Sequence, residues 1–242
     1  MTRGSQVPLD VSRFMRREEG LRLVEEARSR LMEAAEAVRP APSGVLLIRQ
    51  VGLGVLVAAA AALHEGAVRE VEAANPHSAY SLIRGLVEVF AVATYALQAP
   101  DYLQFLMLDP AAVPAGAARP KKMQALIDTA VRDGHTGIGH LYDSLSDVAH
   151  FGRGAMGLPI QVDEDRTGGP YLTLKIAPHW RDETHALAAL ASIEQQTLGI
   201  AAKIARYDAL HIAPLIADIS AAQAAGQVVG LVRSSHEGPT AE

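Results

Sequence analysis

Apolar residues recur at steps of three and four along most of the chain, the period of a helix with one greasy side. The first run is Leu21, Val24, Ala27, Leu31, Ala34, Ala35 and Val38, and arginine and glutamate fill the opposite face. It predicts a helix from a cap at Asp10 or Ser12 to about Arg39, ended by Pro40, Pro42 and Gly44. A second helix is predicted from a cap at Ser43 to Ala74. Gly52 and Gly54 inside it either weaken it or let another helix come close. Asn75-Pro76 is a cap followed by proline in the first turn and opens a third helix to about Gln98. Pro100-Asp101 precedes a short apolar segment, Tyr102 to Leu108, and Asp109 to Pro120 reads as a loop. A fourth helix, Lys121 to Arg132, is stopped by Gly134, and a fifth, Thr136 to His150, by Gly152 and Gly154.

The period then changes. Leu158 to Val162 and Tyr171 to Ile176 alternate like strands across the turn-rich link Asp163 to Pro170, which predicts a β-hairpin. Asp182 caps a long helix to about Ala209, and Pro214 restarts a shorter one to about Ala225. The expected fold is mainly α, a multi-helix bundle with one inserted β-hairpin at about 158–176. Residues 1–42 form a charged N-terminal helix, either a docked arm or part of the bundle. Residues 43–230 form the bundle, and 231–242 a disordered tail.

Composition sharpens this in three ways. Apolar residues are 49% of the 242, enough for a core, and the abundance of Ala and Leu favours helices. The net charge of −5 has no basic excess, so there is no DNA signal. Cysteine is absent, which excludes disulfides, zinc–thiolate sites and thiol nucleophiles. Met1 to Pro8 has no apolar run of the kind a signal peptide needs. The apolar run Val51 to Leu63 is shorter than the ~20 residues of a membrane span. A cytoplasmic location and no membrane partner are expected.

Polar chemistry gathers on two helices. On the third, His77, Tyr80, Ser81, Arg84, Glu88 and Tyr95 fall in one narrow stripe of an otherwise apolar helix. Arg84 and Glu88, its only charges, are four residues apart and can touch. This stripe is either a structural ion pair or the wall of a polar pocket. If it is dry, removing Glu88 should cost about 3–5 kcal/mol, because Arg84 is left unpaired. On the fifth helix, Ile138, Leu141, Leu145 and Val148 make the core face, and Tyr142, Ser146 and His150 lie at its boundary. His140, Asp143, Asp147 and His150 have spacing compatible with a metal but point away from the apolar face, so no metal and no cofactor are expected.

The pair Arg84-x-x-x-Glu88, with Tyr142-x-x-Leu145-Ser146-x-x-x-His150-Phe-Gly, resembles a group of uncharacterised bacterial helical proteins with R-x-x-x-E and Y-x-x-L-S-x-x-x-H helices. The resemblance covers about Asn75 to Trp180 and implies a bundle in which Arg84, Glu88, Tyr142, Ser146 and His150 converge. It brings no agreed activity. A more distant similarity, through Arg206-x-x-x-x-His211, is to HEPN domains, helical bundles that often act as metal-independent ribonucleases in toxin–antitoxin and phage-defence systems. Tyr207 stands where that signature usually has a polar residue. No Walker sequence, dinucleotide fingerprint or G-x-S-x-G is present. The link after Asp163 lacks the glutamate of a calcium loop. His64, on an Ala-rich helix, reads as a satisfied core histidine.

Two functional readings stand. One is a non-catalytic helical protein that acts through interaction, as a homo-oligomer, with a polar pocket of unknown ligand and an RNA or protein partner. The other is a HEPN-like ribonuclease using Arg84, Glu88, Tyr142, Ser146 and His150, or Arg206 and His211.

Overall fold

Asn75 accepts a hydrogen bond from the Ser78 N–H, and Pro76 follows in the first turn, so the helix that carries the polar stripe starts where the sequence says. This helix is central to the fold. The computed structural model describes residues 13–38, 46–106, 121–149, 160–164, 170–174 and 179–225. Its helices are α1 (Arg17–Ala34, ending in a 3-10 turn, Ala35–Val38), α2 (Ile48–Glu72), α3 (Pro76–Gln98), α4 (Tyr102–Leu106), α5 (Met123–Arg132), α6 (Gly137–Ala149), α7 (Glu183–Tyr207) and α8 (Ala213–Ala224). The architecture is mainly helical. α2, α5, α6 and α7 pack around α3, and α1 lies along α7.

The core follows the helical period. Leu23, Val24, Ala27 and Leu31 of α1, Ile83, Leu86, Val87 and Phe90 of α3, and Leu190, Ile193, Ile200 and Ile204 of α7 are buried. The outer face of α1 carries ion pairs such as Arg30–Glu33 at 2.8 Å, both exposed and worth little to stability. A second tie is drier: Arg13 Nη2 reaches the buried Glu194 on α7 at 2.6 Å.

Of the two readings of the α2 glycines, close approach is the one observed. A Cβ on Gly52 would stand 2.8 Å from the Leu103 carbonyl oxygen, and one on Gly54 2.9 Å from Val38 Cγ1. α2 begins at Ile48, later than a Ser43 cap implies, and Ser43 lies outside the described residues. The Gln50 side chain closes the start by accepting from the Leu47 N–H at 2.8 Å.

α2 ends in a left-handed turn. The Ala74 N–H bonds the Val71 carbonyl and the Asn75 N–H the Glu70 carbonyl, with Ala74 at φ 56. The same pattern closes α5, where the left-handed residue is Gly134 at φ 96. Arg17 Nη2 and Trp180 Nε1 also donate to the Val71 carbonyl, at 2.7 and 3.1 Å. One helix end thereby gathers side chains from before α1 proper begins its second turn and from before α7.

The last helices are not separated by a break. α7 runs into a π turn, Asp208–Ile212, and on into α8. Pro214 cannot donate to the turn before it, and the wider turn lets the Ala213 N–H reach the Asp208 carbonyl instead. Between α6 and α7, segments Ile160–Glu164 and Pro170–Leu174 are set antiparallel. The tail 231–242 lies outside the described residues.

By length and composition alone, α2 and α3 are each long and apolar enough to cross a membrane. The apolar run read in the sequence is shorter than the helix that contains it.

Candidate functional site

α6 lies against α3 with Ile138 and Leu145 buried, and this register brings Tyr142 over the polar stripe. Tyr142, expected at the boundary, is buried. Arg84 Nη2 donates to the Tyr142 hydroxyl at 3.0 Å, and that hydroxyl donates on to Glu88 Oε1 at 3.4 Å. Arg84 Nη2 and Glu88 Oε1 are 3.1 Å apart, which closes a three-membered ring of polar contacts between two helices. The guanidinium also sits 5.1 Å from the Tyr142 ring centre, within reach of a cation–π attraction. The Tyr142 bond is the largest of the influences that hold Arg84 in its charged form.

This cluster is half-open. The Arg84 and Glu88 side chains keep 21% and 32% of their surface in solvent. One turn beyond Tyr142 on α6, the Ser146 hydroxyl is buried with no hydrogen-bond partner among the described residues. A buried hydroxyl left this way costs about 1–3 kcal/mol unless something outside the helices satisfies it. Its neighbour one turn further, His150, lies outside the described residues, so its expected place beside Arg84 or Glu88 is not part of the geometry.

The rest of the stripe is divided among other partners. Tyr80 stacks edge-on against Trp180 at 5.6 Å, and burial pushes its hydroxyl pKa up. Ser81 donates back to the His77 carbonyl. Tyr95 meets Tyr102 at 4.8 Å and carries the Lys121 ammonium over its ring.

The second candidate pair lies at the end of α7 and in the π turn that follows it. Arg206 is exposed. His211, in the π turn, donates from Nε2 to the Leu97 carbonyl at 3.3 Å and stacks on Tyr207. It thus satisfies one of the free carbonyls at the end of α3. Of the metal quartet, His140, Asp143 and Asp147 are exposed, and no group of three metal-ligating side chains stands together among the described residues.

Comparison with protein-family models, with curated proteins and with solved structures returns no match.

Three further polar joints link distant elements, and of them only His64 was legible in the sequence, as a satisfied core histidine without its partner. His64 Nδ1 and Thr197 Oγ1 are hydrogen-bonded at 2.9 Å between α2 and α7, both buried. Burial lowers the His64 pKa to about 4, so the ring is neutral; Glu25 opposes and Arg28 adds to the shift. Lys203 Nζ donates to His135 Nε2 at 3.0 Å, with Asp133 3.6 Å from the ammonium and the Phe90 ring beside both. Burial, then the Lys203 charge, lowers the His135 pKa. Tyr207 donates to the Pro100 carbonyl at 2.6 Å, and burial pushes it up to about 12. The partners lie 68 to 133 residues apart, and no local pattern signals such pairs.

Proposed function

We propose that this chain works by association, with copies of itself and with a small polar ligand, and performs no chemistry of its own. The observation that carries the reading is the state of the Arg84–Glu88–Tyr142 cluster. It keeps solvent access, and the orphaned Ser146 hydroxyl lies one turn beyond Tyr142 on α6. His64, His135 and His211, by contrast, are each held in a bond that joins one element to another. A general acid or base must be able to reach a substrate proton, and these three histidines are committed elsewhere. A ligand offering an anionic oxygen to Arg84 and a polar group to Ser146 fits the chemistry of the cluster.

The reading includes the finer expectations of the sequence: a β-hairpin over 158–176 inserted between α6 and α7, a cytosolic setting, a homo-oligomer, and kinship with the bacterial R-x-x-x-E helical proteins. The experiment is a melting series with acetate, succinate and inorganic phosphate as probes, on the native chain and on Arg84→Gln. At least one probe should raise the native Tm and leave that of Arg84→Gln where it was. No shift with any probe would make the cluster a structural clamp only. RNA cleavage in EDTA that is lost in His150→Ala or His211→Ala would replace association with the HEPN-like nuclease.

A further inference from the structure

Lys203 of α7 is a cation kept nearly dry. Its side chain keeps 12% of its surface in water, and its ammonium lies 5.7 Å from the centre of the Phe90 ring. The ammonium ends 3.0 Å from His135 Nε2 and 3.6 Å from Asp133 Oδ2. These two residues flank Gly134, whose positive φ forms the turn that joins α5 to α6. The His135 ring also meets Phe90 edge-on at 4.9 Å. α5 and α6 pack on α3 and on each other, and Lys203 fastens their turn to α7.

This bond chooses the protonation state of the ring. An ammonium donates and cannot accept, so Nε2 must present a lone pair and the proton of the neutral ring sits on Nδ1. A second proton would turn Nε2 into a donor and set two cations 3.0 Å apart, with Asp133 to share between them. Asp133 Oδ2 is 3.6 Å from the ammonium and 4.0 Å from His135 Nε2, so it can serve either. The charged groups that face the ring are Lys203 from α7 and Asp133 from the end of α5. α3 offers it Phe90, and offers Asp133 the Gln98 amide. Arg132 turns back onto Thr129 of its own helix, and His140 and Asp143 of α6 are exposed. The His135 side chain keeps 37% of its surface in water, so a proton can reach it.

We infer that the Lys203–His135 pair is a proton-released latch on α6. With the ring neutral, the turn is fastened to α7. Once the ring takes a proton, the ammonium loses its acceptor and the turn comes away. Tyr142, on the second turn of α6, then loosens from Arg84 and Glu88, so acid opens that cluster. As control of a bound ligand this rests on the ligand reading of the cluster; as a latch it rests on the joint alone. The open form, with Lys203 gone from the ring, takes the proton more readily than the closed one, so falling pH favours it. The lowered pKa of His135, caused first by burial and then by Lys203, has the same sign.

An NMR titration of the His135 ring gives its midpoint, and amide hydrogen exchange is then read on either side of it, corrected for the intrinsic pH dependence of exchange. Below the midpoint the amides of the α5–α6 turn and of α6 should lose protection about fivefold more than those of α2 and α7, the low end of ordinary coupling between two sites. The Tyr142 ring resonances should move with the same midpoint. His135→Gln keeps an acceptor for Lys203 and cannot titrate, so its α6 should stay protected throughout. Lys203→Met removes the donor and should show the weaker protection on both sides. Unchanged protection of α6 in the native chain, a loss shared equally by α2 and α7, or an equal loss in His135→Gln would overturn the latch. So would an α6 in Lys203→Met that still answers to pH. Coupling is reciprocal, so a probe that raises the native Tm through Arg84 should lower the His135 midpoint. A bound probe that leaves the midpoint in place would overturn control of the cluster. An α6 that opens as expected while no probe binds would sink the ligand reading and leave the latch standing.

Discussion

His64 shows how one buried side chain ties stability to pH. The unfolded chain protonates it near 6.5, whereas in the folded chain burial holds that step back to about 4. Between those values the unfolded state binds more protons. The contribution of a neutral His64 is therefore whole above pH 6.5 and is lost as the pH falls towards 4. It amounts to on the order of 3 kcal/mol. His135, whose pKa is also lowered, acts in the same direction. Urea unfolding at pH 7 and pH 5 should show the lower value at pH 5, and in His64→Gln the difference should shrink. An NMR titration of His64 with a midpoint near 6.5 would contradict its burial. Ala74 offers a test of opposite sign. It holds a left-handed φ of 56, where a Cβ costs about 1 kcal/mol, while the matching position after α5 is Gly134. Ala74→Gly should raise stability by about 0.5–1 kcal/mol, read from thermal or urea unfolding. That α5 ends at Gly134 was legible because glycine advertises such a turn. Ala74 has no such mark, since the geometry is imposed there by the bonds to Val71 and Glu70.

Between elements, periodicity placed the helices and the close approaches decided how they pack. Gly52→Ala should cost about 1–3 kcal/mol, because the methyl group meets the Leu103 backbone carbonyl and a backbone cannot step aside as a side chain can. A midpoint within error of the native one would mean that α4 is not seated on α2. The stripe on α3 was readable, because Arg84 and Glu88 are conspicuous on an apolar helix, whereas the approach of Tyr142 was implied only by the resemblance. The depth of the site was not. Burial of Glu88 depends on α6, 54 residues further on, and with 32% of its side chain in water the dry-stripe cost of 3–5 kcal/mol no longer applies. Glu88→Ala should cost roughly 1 kcal/mol. The continuous turn through Pro214 was also unreadable, because proline normally marks a break and only the π turn absorbs it.

At the scale of the whole molecule, the helices are joined across long stretches of chain by polar contacts, one buried, His64 to Thr197, and three partly buried, Lys203 to His135, Tyr207 to Pro100 and Arg13 to Glu194. Each fixes the relation of two elements that apolar packing alone would leave free to slide. The Arg84–Glu88–Tyr142 joint between α3 and α6 combines that role with access to solvent and with an orphaned Ser146 hydroxyl one turn beyond Tyr142. The most direct test is a double-mutant cycle on Arg84→Gln and Tyr142→Phe by urea unfolding. We expect the two effects to be coupled by about 1 kcal/mol, because the residues share a hydrogen bond and a ring contact. Additivity within ~0.3 kcal/mol would mean that α3 and α6 do not meet at this point and that no polar site exists between them.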